Sequence, residues 1–297
     1  MKISFITSNC EYRRCDCQRA VRVGLRELGH TVKVDRFESA RLCIRDDAPD
    51  AMFVWNGVHG KREDAVRAFR KAKIPVWIME RGFFDRMRHT QIDAKGFNHR
   101  ASWADTLCEP APLEGRGRFE AVWGGPVTPM SARDSGYVLI LGQTRNDAQL
   151  ADSEISHPKQ LIQAVAKALP TGIEARFRPH PLYQWNPRGC GADLCTAATL
   201  KEAVAGARFC VTINSNAGNE ALAWGCPVLA LGPALYTRGM VSAWCMLQVL
   251  GLSIRDMLDG WNVPPPERVA NYLYNLACRQ YGIAELRSGE ALKGLGF

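Results

Sequence analysis

No apolar run in this 297-residue chain approaches the ~20 residues that span a bilayer. A helical membrane protein is excluded on that ground. The opening stretch, "MKISFITSNCEYRRCDC", lacks the long apolar core of a secretory leader and reads as a first strand. There is no internal repeat and no low-complexity tract, which excludes solenoids and fibrous chains. Cysteine is present but unpatterned: eleven residues share no repeating spacing, and Cys210 and Cys226 sit inside apolar strands. That argues against a disulfide scaffold and predicts reduced thiols in a cytoplasmic setting. Cys10, Cys15 and Cys17 fall close together, yet three thiolates without a convincing fourth ligand do not make a zinc site. The acids of "IRDDAPD" sit in a charged loop with no other ligand pattern. No metal is predicted.

What is present suffices for a large core. The chain is 46% hydrophobic with 9% aromatic residues, and its length suits two α/β domains of roughly 130–150 residues each. A net charge of +8 favours an anionic partner, whether nucleotide, polyanion or membrane surface. "KISFIT", "TVKVDRF", "AMFVWN" and "PVWIME" read as strands, with helices near 18–29 and 61–73 between them. A stretch rich in Gly and Pro, about 108–135, reads as a domain boundary, with "FEAVW" inside it as one more candidate strand. A second alternating set follows: "YVLILGQ", a helix at 159–169, "IEARFRPH", a helix at 199–206, "FCVTI" and "PVLAL". The tail "PPPERVANYLYNLACRQYG" is a helix entered through prolines. The expected division is 1–130 and 131–297: two Rossmann-like, doubly wound domains facing a central cleft.

Four stretches fall at strand ends, where such folds put their chemistry. In "VTINSNAGNEALAWG" small polar residues interrupt two buried runs. Asn214, Ser215, Asn216 and Gly218 stand at a helix start that attracts anions through its dipole and backbone N–H groups, and the same residue types also cap helices. Glu220, one turn in, could accept from ribose hydroxyls or serve the cap. In "MERGFFDRMRHTQIDAKGFN", Glu80 is a candidate general base with Gly82 opening the turn beside it, or else an ion-pair partner of Arg81, Arg86 or Arg88. Asp93, on the same loop, is the reserve base. In "LILGQTRNDAQ", Gly142 permits close backbone approach, and Gln143, Thr144 and Arg145 offer donors to phosphate or sugar. In "FRPHP", Pro179 and Pro181 hold His180 in an extended backbone beside Arg178.

In order and spacing these stretches resemble the capsule polysaccharide synthesis family, bacterial glycosyltransferases typified by enzymes that transfer Kdo from CMP-Kdo. The resemblance covers about residues 75–240. It rests on Glu80, Gly82, Asp93, Gly96 and Asn98; on Gly142, Gln143, Asp147 and Ala148; on Pro179, His180 and Pro181; and on Glu220, Ala221, Leu222, Gly225, Pro227, Val228, Gly232 and Tyr236. It implies a GT-B fold and a nucleotide-sugar donor, UDP- or CMP-linked, held by the second domain without a further cofactor. Glu80 would be the base, and His180 and Ser215 would hold the nucleotide phosphate. This chain has Arg81 where relatives often show a second acid, and Asn214-Ser215-Asn216 where they often show paired serines.

The acceptor hydroxyl is left open between a membrane-linked glycan and hydroxymethylated bases of DNA. The second option is the substrate of bacteriophage base-modifying glycosyltransferases, and it would place the protein in a host cytoplasm. Arg86 and Arg88 are the acceptor-side cations on either reading, although no helix-turn-helix, zinc finger or aromatic stacking motif supports DNA. The alternative from another class is a non-catalytic nucleotide- or nucleic-acid-binding protein that keeps the fold without the reaction.

Overall fold

The computed structural model describes residues 1–7, 16–58, 60–144 and 147–297. The chain forms two compact units. One comprises Met1–Trp103 with Ala277–Phe297, and the other Ala104–Leu276.

The first unit alternates β1 (Lys2–Ile6), α1 (Asp16–Glu27), β2 (Thr31–Asp35), α2 (Ala40–Asp46), β3 (Ala51–Trp55), α3 (Gly60–Lys71), β4 (Val76–Arg81) and β5 (His89–Asp93). The first four strands pair in parallel in the order β2-β1-β3-β4, and β5 adds on antiparallel to β4. Strands of a parallel sheet are covered by helices on both faces, so they read as unbroken apolar runs. β3 is such a strand, with Ala51, Met52, Phe53 and Val54 all buried.

In the second unit, α4 (Gly115–Trp123) precedes β6 (Tyr137–Leu141), α5 (Pro158–Ala168), β7 (Ala175–Arg178), β8 (Asp193–Leu194), α6 (Leu200–Ala205), β9 (Ala207–Thr212), α7 (Ala217–Ala223), β10 (Val228–Ala230), α8 (Leu235–Arg238), β11 (Ala243–Trp244), α9 (Leu250–Leu258) and α10 (Pro266–Ala277). Its sheet is parallel throughout, ordered β11-β10-β9-β6-β7-β8. Val138, Ile140, Phe177, Val211, Leu229 and Ile254 meet in its core. Among the described residues no helix is long and apolar enough to cross a membrane.

Two expectations are corrected. "FEAVW" is the end of α4, not a strand, because Phe119, Val122 and Trp123 recur at helical spacing and Gly124 stops the helix in the left-handed region at φ +86°. The break falls after Trp103 rather than near 130, and the chain's end does not stay with the second unit. After α10, the short strand β12 (Tyr281–Gly282) pairs with β5, and α11 (Ile283–Arg287) and α12 (Glu290–Gly294) join the first core through Leu286 and Leu292. Gln280 anchors this return. It is fully buried and accepts from the amides of Phe83 (2.6 Å) and Phe84 (3.0 Å).

Candidate functional site

In the first unit the strand order reverses between β1 and β3, the position at which doubly wound sheets open a crevice at their carboxyl edge. β3 ends there in Asn56, whose backbone is left-handed at φ +69°. Its amide N–H completes the ladder to the Met79 carbonyl at 2.8 Å. Its side chain is fixed from both ends. Oδ1 accepts from the Val58 amide at 3.3 Å, and Nδ2 donates to Glu80 Oε2 at 2.9 Å. The other carboxylate oxygen of Glu80 accepts from the Arg81 amide at 2.9 Å. Glu80 is half-buried, and its charge acts on Arg62, whose guanidinium is pushed below its ordinary range by burial and back up by Glu80. Arg62 also lies 5.8 Å from the Phe37 ring centre.

The hairpin from β4 to β5 holds this arrangement in place. Gly82 is required there because a Cβ would come within 2.7 Å of both Gln280 Oε1 and the His89 Cβ. Gln91, opposite Glu80 in the register, donates to the Arg81 carbonyl (2.9 Å) and to Asn98 Oδ1 (2.8 Å), and accepts from the Asn98 amide (2.9 Å).

Asp93 is set back from the strand end that carries Glu80. It pairs with Ile78, two residues back from Glu80, because β5 runs the opposite way and carries Asp93 off the carboxyl edge of β4. Its carboxylate is buried and saturated. Oδ1 accepts from the amides of Lys95 (2.7 Å), Gly96 (2.8 Å) and Ser102 (3.0 Å), and Oδ2 from the Ser102 hydroxyl. Arg86 is likewise engaged, its Nε donating to the Gly82 carbonyl at 3.1 Å. Arg88 is exposed.

In the second unit the register sets four strand ends level, Leu141 beside both Arg178 and Thr212, and Thr212 beside Ala230. The switch point lies between β6 and β9. Gln143 and Asn214 follow these two strands and lock to each other. Gln143 Nε2 donates to Asn214 Oδ1 at 2.8 Å, and the Asn214 amide donates to Gln143 Oε1 at 3.1 Å. Asn214 Nδ2 then donates to the carbonyls of Gln149 (2.8 Å) and Pro233 (3.1 Å). Both side chains are buried. They form a latch across the switch point.

The turn before α7 is also occupied by its own bonds. The Ser215 hydroxyl accepts from the Ala217 amide (3.4 Å), the Gly218 amide donates to the Ser215 carbonyl (3.0 Å), and the Asn219 amide donates to the Asn216 carbonyl (2.9 Å). The N-cap is Asn216, and Ser215 braces the turn from the residue before it. What the helix start offers an anion is chiefly its dipole. Gly218 is small for packing, since a Cβ would meet the Tyr236 ring at 2.7 Å. Burial pushes the phenols of Tyr236 and Tyr272 upward, keeping both protonated as donors to the Ser215 carbonyl (3.2 Å) and Asn219 Oδ1 (2.6 Å). Gly142 packs over Phe177. Arg178 is tied down by the carbonyls of Ala197 (2.7 Å) and Ala198 (3.4 Å).

The remaining predicted residues near this edge are His180, Thr144 and Glu220. His180 is half-buried, and its Nδ1 accepts from the Leu182 amide at 3.1 Å, so the neutral ring carries its proton on Nε2. Thr144 is half-buried and its hydroxyl has no partner among the described residues. Glu220 is half-buried in the first turn of α7. Arg145, Cys10 and Cys15 lie outside the described residues.

Among solved structures, the fold matches a beta-Kdo 2,7 transferase, KpsC of Thermosulfurimonas dismutans, with a TM-score of 0.60 at 15% identity over 98% of this chain and 99% of that one. It also matches the beta-Kdo 2,4 transferase of the same organism's KpsC, with a TM-score of 0.55 at 13% identity over 91% of this chain and 97% of that one. The chain shares their fold. Two Rossmann-like units in one chain make up the GT-B plan, as the motif resemblance implied. No family model and no curated protein matches.

Sequence reasoning passed over Asn56 and Gln91. The signal for Asn56 was the Asn-Gly dipeptide directly after an apolar strand, a turn mark that accommodates positive φ. Nothing local marks Gln91, because it acts through cross-strand register.

Proposed function

We propose that this protein is a glycosyltransferase that moves a sugar from a nucleotide-sugar donor, UDP- or CMP-linked, to a hydroxyl of an anionic acceptor. The reading is carried by one observation above the others: the Glu80 carboxylate stands at the end of a parallel strand, oriented by a side-chain amide that is itself fixed in a left-handed turn. Glycosyl transfer needs a base to take the proton of the attacking hydroxyl, and it needs donors or dipoles to stabilise the nucleotide phosphate as it leaves. Glu80 takes the first role. The acceptor oxygen bonds to the anomeric carbon as the bond to the nucleotide phosphate breaks, and the hydroxyl proton passes to the Glu80 carboxylate. The Nε2–H of His180, the Thr144 hydroxyl and the dipole of α7 favour the phosphate charge, and Glu220 accepts from the ribose hydroxyls. None of these roles calls on a metal.

A thermal-shift screen of nucleotide sugars tests the reading, since a ligand that binds the native state alone raises stability with concentration. The expected result is stabilisation by one nucleotide class, followed by slow release of nucleotide from the matching sugar donor. A second reading, a binding protein without turnover, is favoured by Arg81 in place of the second acid. It predicts the same stabilisation with no nucleotide released, whatever the acceptor.

A further inference from the structure

The sheet of the second unit ends on one side in β11, and that edge is finished unlike its counterparts. From Gly239 to Ile254 the chain carries no charged side chain. The opposite edge strand, β8, holds the exposed Asp193, and β2, at an edge of the first sheet, holds the exposed Lys33. Charges of this kind keep an open strand edge from pairing with another chain. β11 has none.

The same stretch is apolar and open. Met240, Trp244, Met246, Leu252 and Trp261 are each more than half exposed. Met240 and Trp261 line one groove with Ala243 of the strand. α9 turns Leu250, Ile254 and Met257 inward and leaves Leu252 outside. The backbone is open as well. The Cys245 amide donates to the Ala230 carbonyl at 2.9 Å, so residue 245 faces β10. Successive residues of a strand point their N–H and C=O groups to opposite sides. Those of Trp244 therefore point away from β10, off the edge of the sheet.

Charge decides what covers this face. The residues that flank the uncharged run are balanced, Arg238, Arg255 and Arg268 against Asp256, Asp259 and Glu267. Arg238 is already held by Asp105 at 3.0 Å. The whole second unit holds 14 Lys and Arg against 15 Asp and Glu. An anionic bilayer finds no cationic rim here. Two copies of a neutral face, by contrast, meet without repulsion.

We propose that β11 pairs with β11 of a second copy of this chain, antiparallel, about a two-fold axis at Trp244. A two-fold axis normal to the sheet sets an edge strand antiparallel to its copy and joins two six-stranded sheets into one. Trp244 then opposes its counterpart. The two residues exchange both N–H···O=C bonds, as directly opposed residues of an antiparallel pair do, and their indoles form a cross-strand aromatic pair. Trp244 and Trp261 together bury about 300 Å² of the roughly 800 Å² that a stable interface takes from each partner. Met240, Met246 and Leu252 add to that area. The pairing is independent of the transferase reading.

Sedimentation equilibrium of the full chain between about 1 and 100 µM tests it. The expected result is a reversible dimer that persists at high salt, because apolar contact and backbone bonds are little screened. Trp244→Lys sets two like charges at the axis and is expected to weaken association about tenfold or more. Trp261→Lys, away from the strand, is expected to weaken it in the same direction and serves if the first variant melts early. Leu113→Lys, at a fully exposed apolar position elsewhere in the unit, should leave association unchanged. Hydrogen exchange of the parent needs no variant: the Trp244 amide should be protected in the concentrated sample and lose that protection on dilution. A parent that stays monomeric throughout, a dimer weakened by Leu113→Lys but not by either tryptophan variant, or a dimer whose Trp244 amide exchanges alike at all concentrations would each overturn the proposal. So would a monomer that sediments with neutral phosphatidylcholine vesicles, which would assign the face to a membrane.

Discussion

The two units are built on the same parallel plan and finish their carboxyl edges differently. In the second unit the critical edge is closed by side chains bonded to one another, with the Gln143–Asn214 latch buried across the switch point and Tyr236 and Tyr272 buttressing the turn before α7. In the first unit a carboxylate is left half-open at the strand end, and the surrounding polar groups orient it rather than bury it. The charge follows the same division, since the excess of basic residues belongs to the first unit alone. A rigid, neutral edge suits a ligand held by dipoles and a few placed donors. A cationic unit with a half-buried carboxylate at a strand end suits the proposed role of positioning and deprotonating an anionic molecule.

The sharpest way to break that comparison is to remove the Glu80 carboxylate. Glu80→Gln is expected to slow sugar transfer by about 10²–10⁴-fold while nucleotide affinity holds, read by transfer assays alongside calorimetry. A loss of affinity with no loss of turnover would move Glu80 to a binding role.

The next effect lies in the other unit. Asn214→Ala strands Gln143 in a buried site and is expected to cost about 2–3 kcal/mol of stability. In a double-mutant cycle with Gln143→Ala the two changes should fall well short of additive. Additive losses in denaturant melts would mean that the two side chains do not act as a latch.

Asp93→Asn is expected to lower stability by about 1–2 kcal/mol, because the charged acceptor of three backbone amides is weakened. Transfer per folded molecule should be unchanged. A rate loss as large as that of Glu80→Gln, with stability intact, would restore Asp93 as a base.

These outcomes bear on what the sequence can disclose. The alternating pattern was legible because parallel strands are continuous apolar runs, and "AMFVW" and "YVLIL" announce themselves. The polar positions at 80, 144 and 180 could be singled out because strand ends are where such folds gather chemistry. The roles of Gln143, Asn214 and Arg178 were not, because a side chain that binds a ligand and one that braces a loop are the same residue types until their partners are known. The setting of Asp93 was not legible for a topological reason: β5 turns back antiparallel to β4, and the turn is braced by Gln280, nearly two hundred residues away in sequence, which no local pattern reports.

Two smaller effects sharpen the contrast. His180→Ala is expected to weaken nucleotide binding about tenfold, the magnitude of one charge-assisted hydrogen bond, with transfer at saturating donor much less affected. Asn56→Gly keeps the left-handed backbone and removes the amide. It is expected to slow transfer several-fold with little change in melting temperature, whereas Asn56→Ala should lose the same rate and also some stability. Full activity in the glycine variant would show that the turn, and not its amide, supports Glu80.

The central claim is that donor binding and proton removal belong to different units. It is tested most directly by measuring nucleotide dissociation constants and saturated transfer rates side by side in Glu80→Gln and His180→Ala. The account predicts a crossed result, with Glu80→Gln keeping the parental dissociation constant and losing at least a hundredfold in rate, and His180→Ala losing affinity while keeping most of its rate. Parallel losses of both quantities in both variants would contradict it.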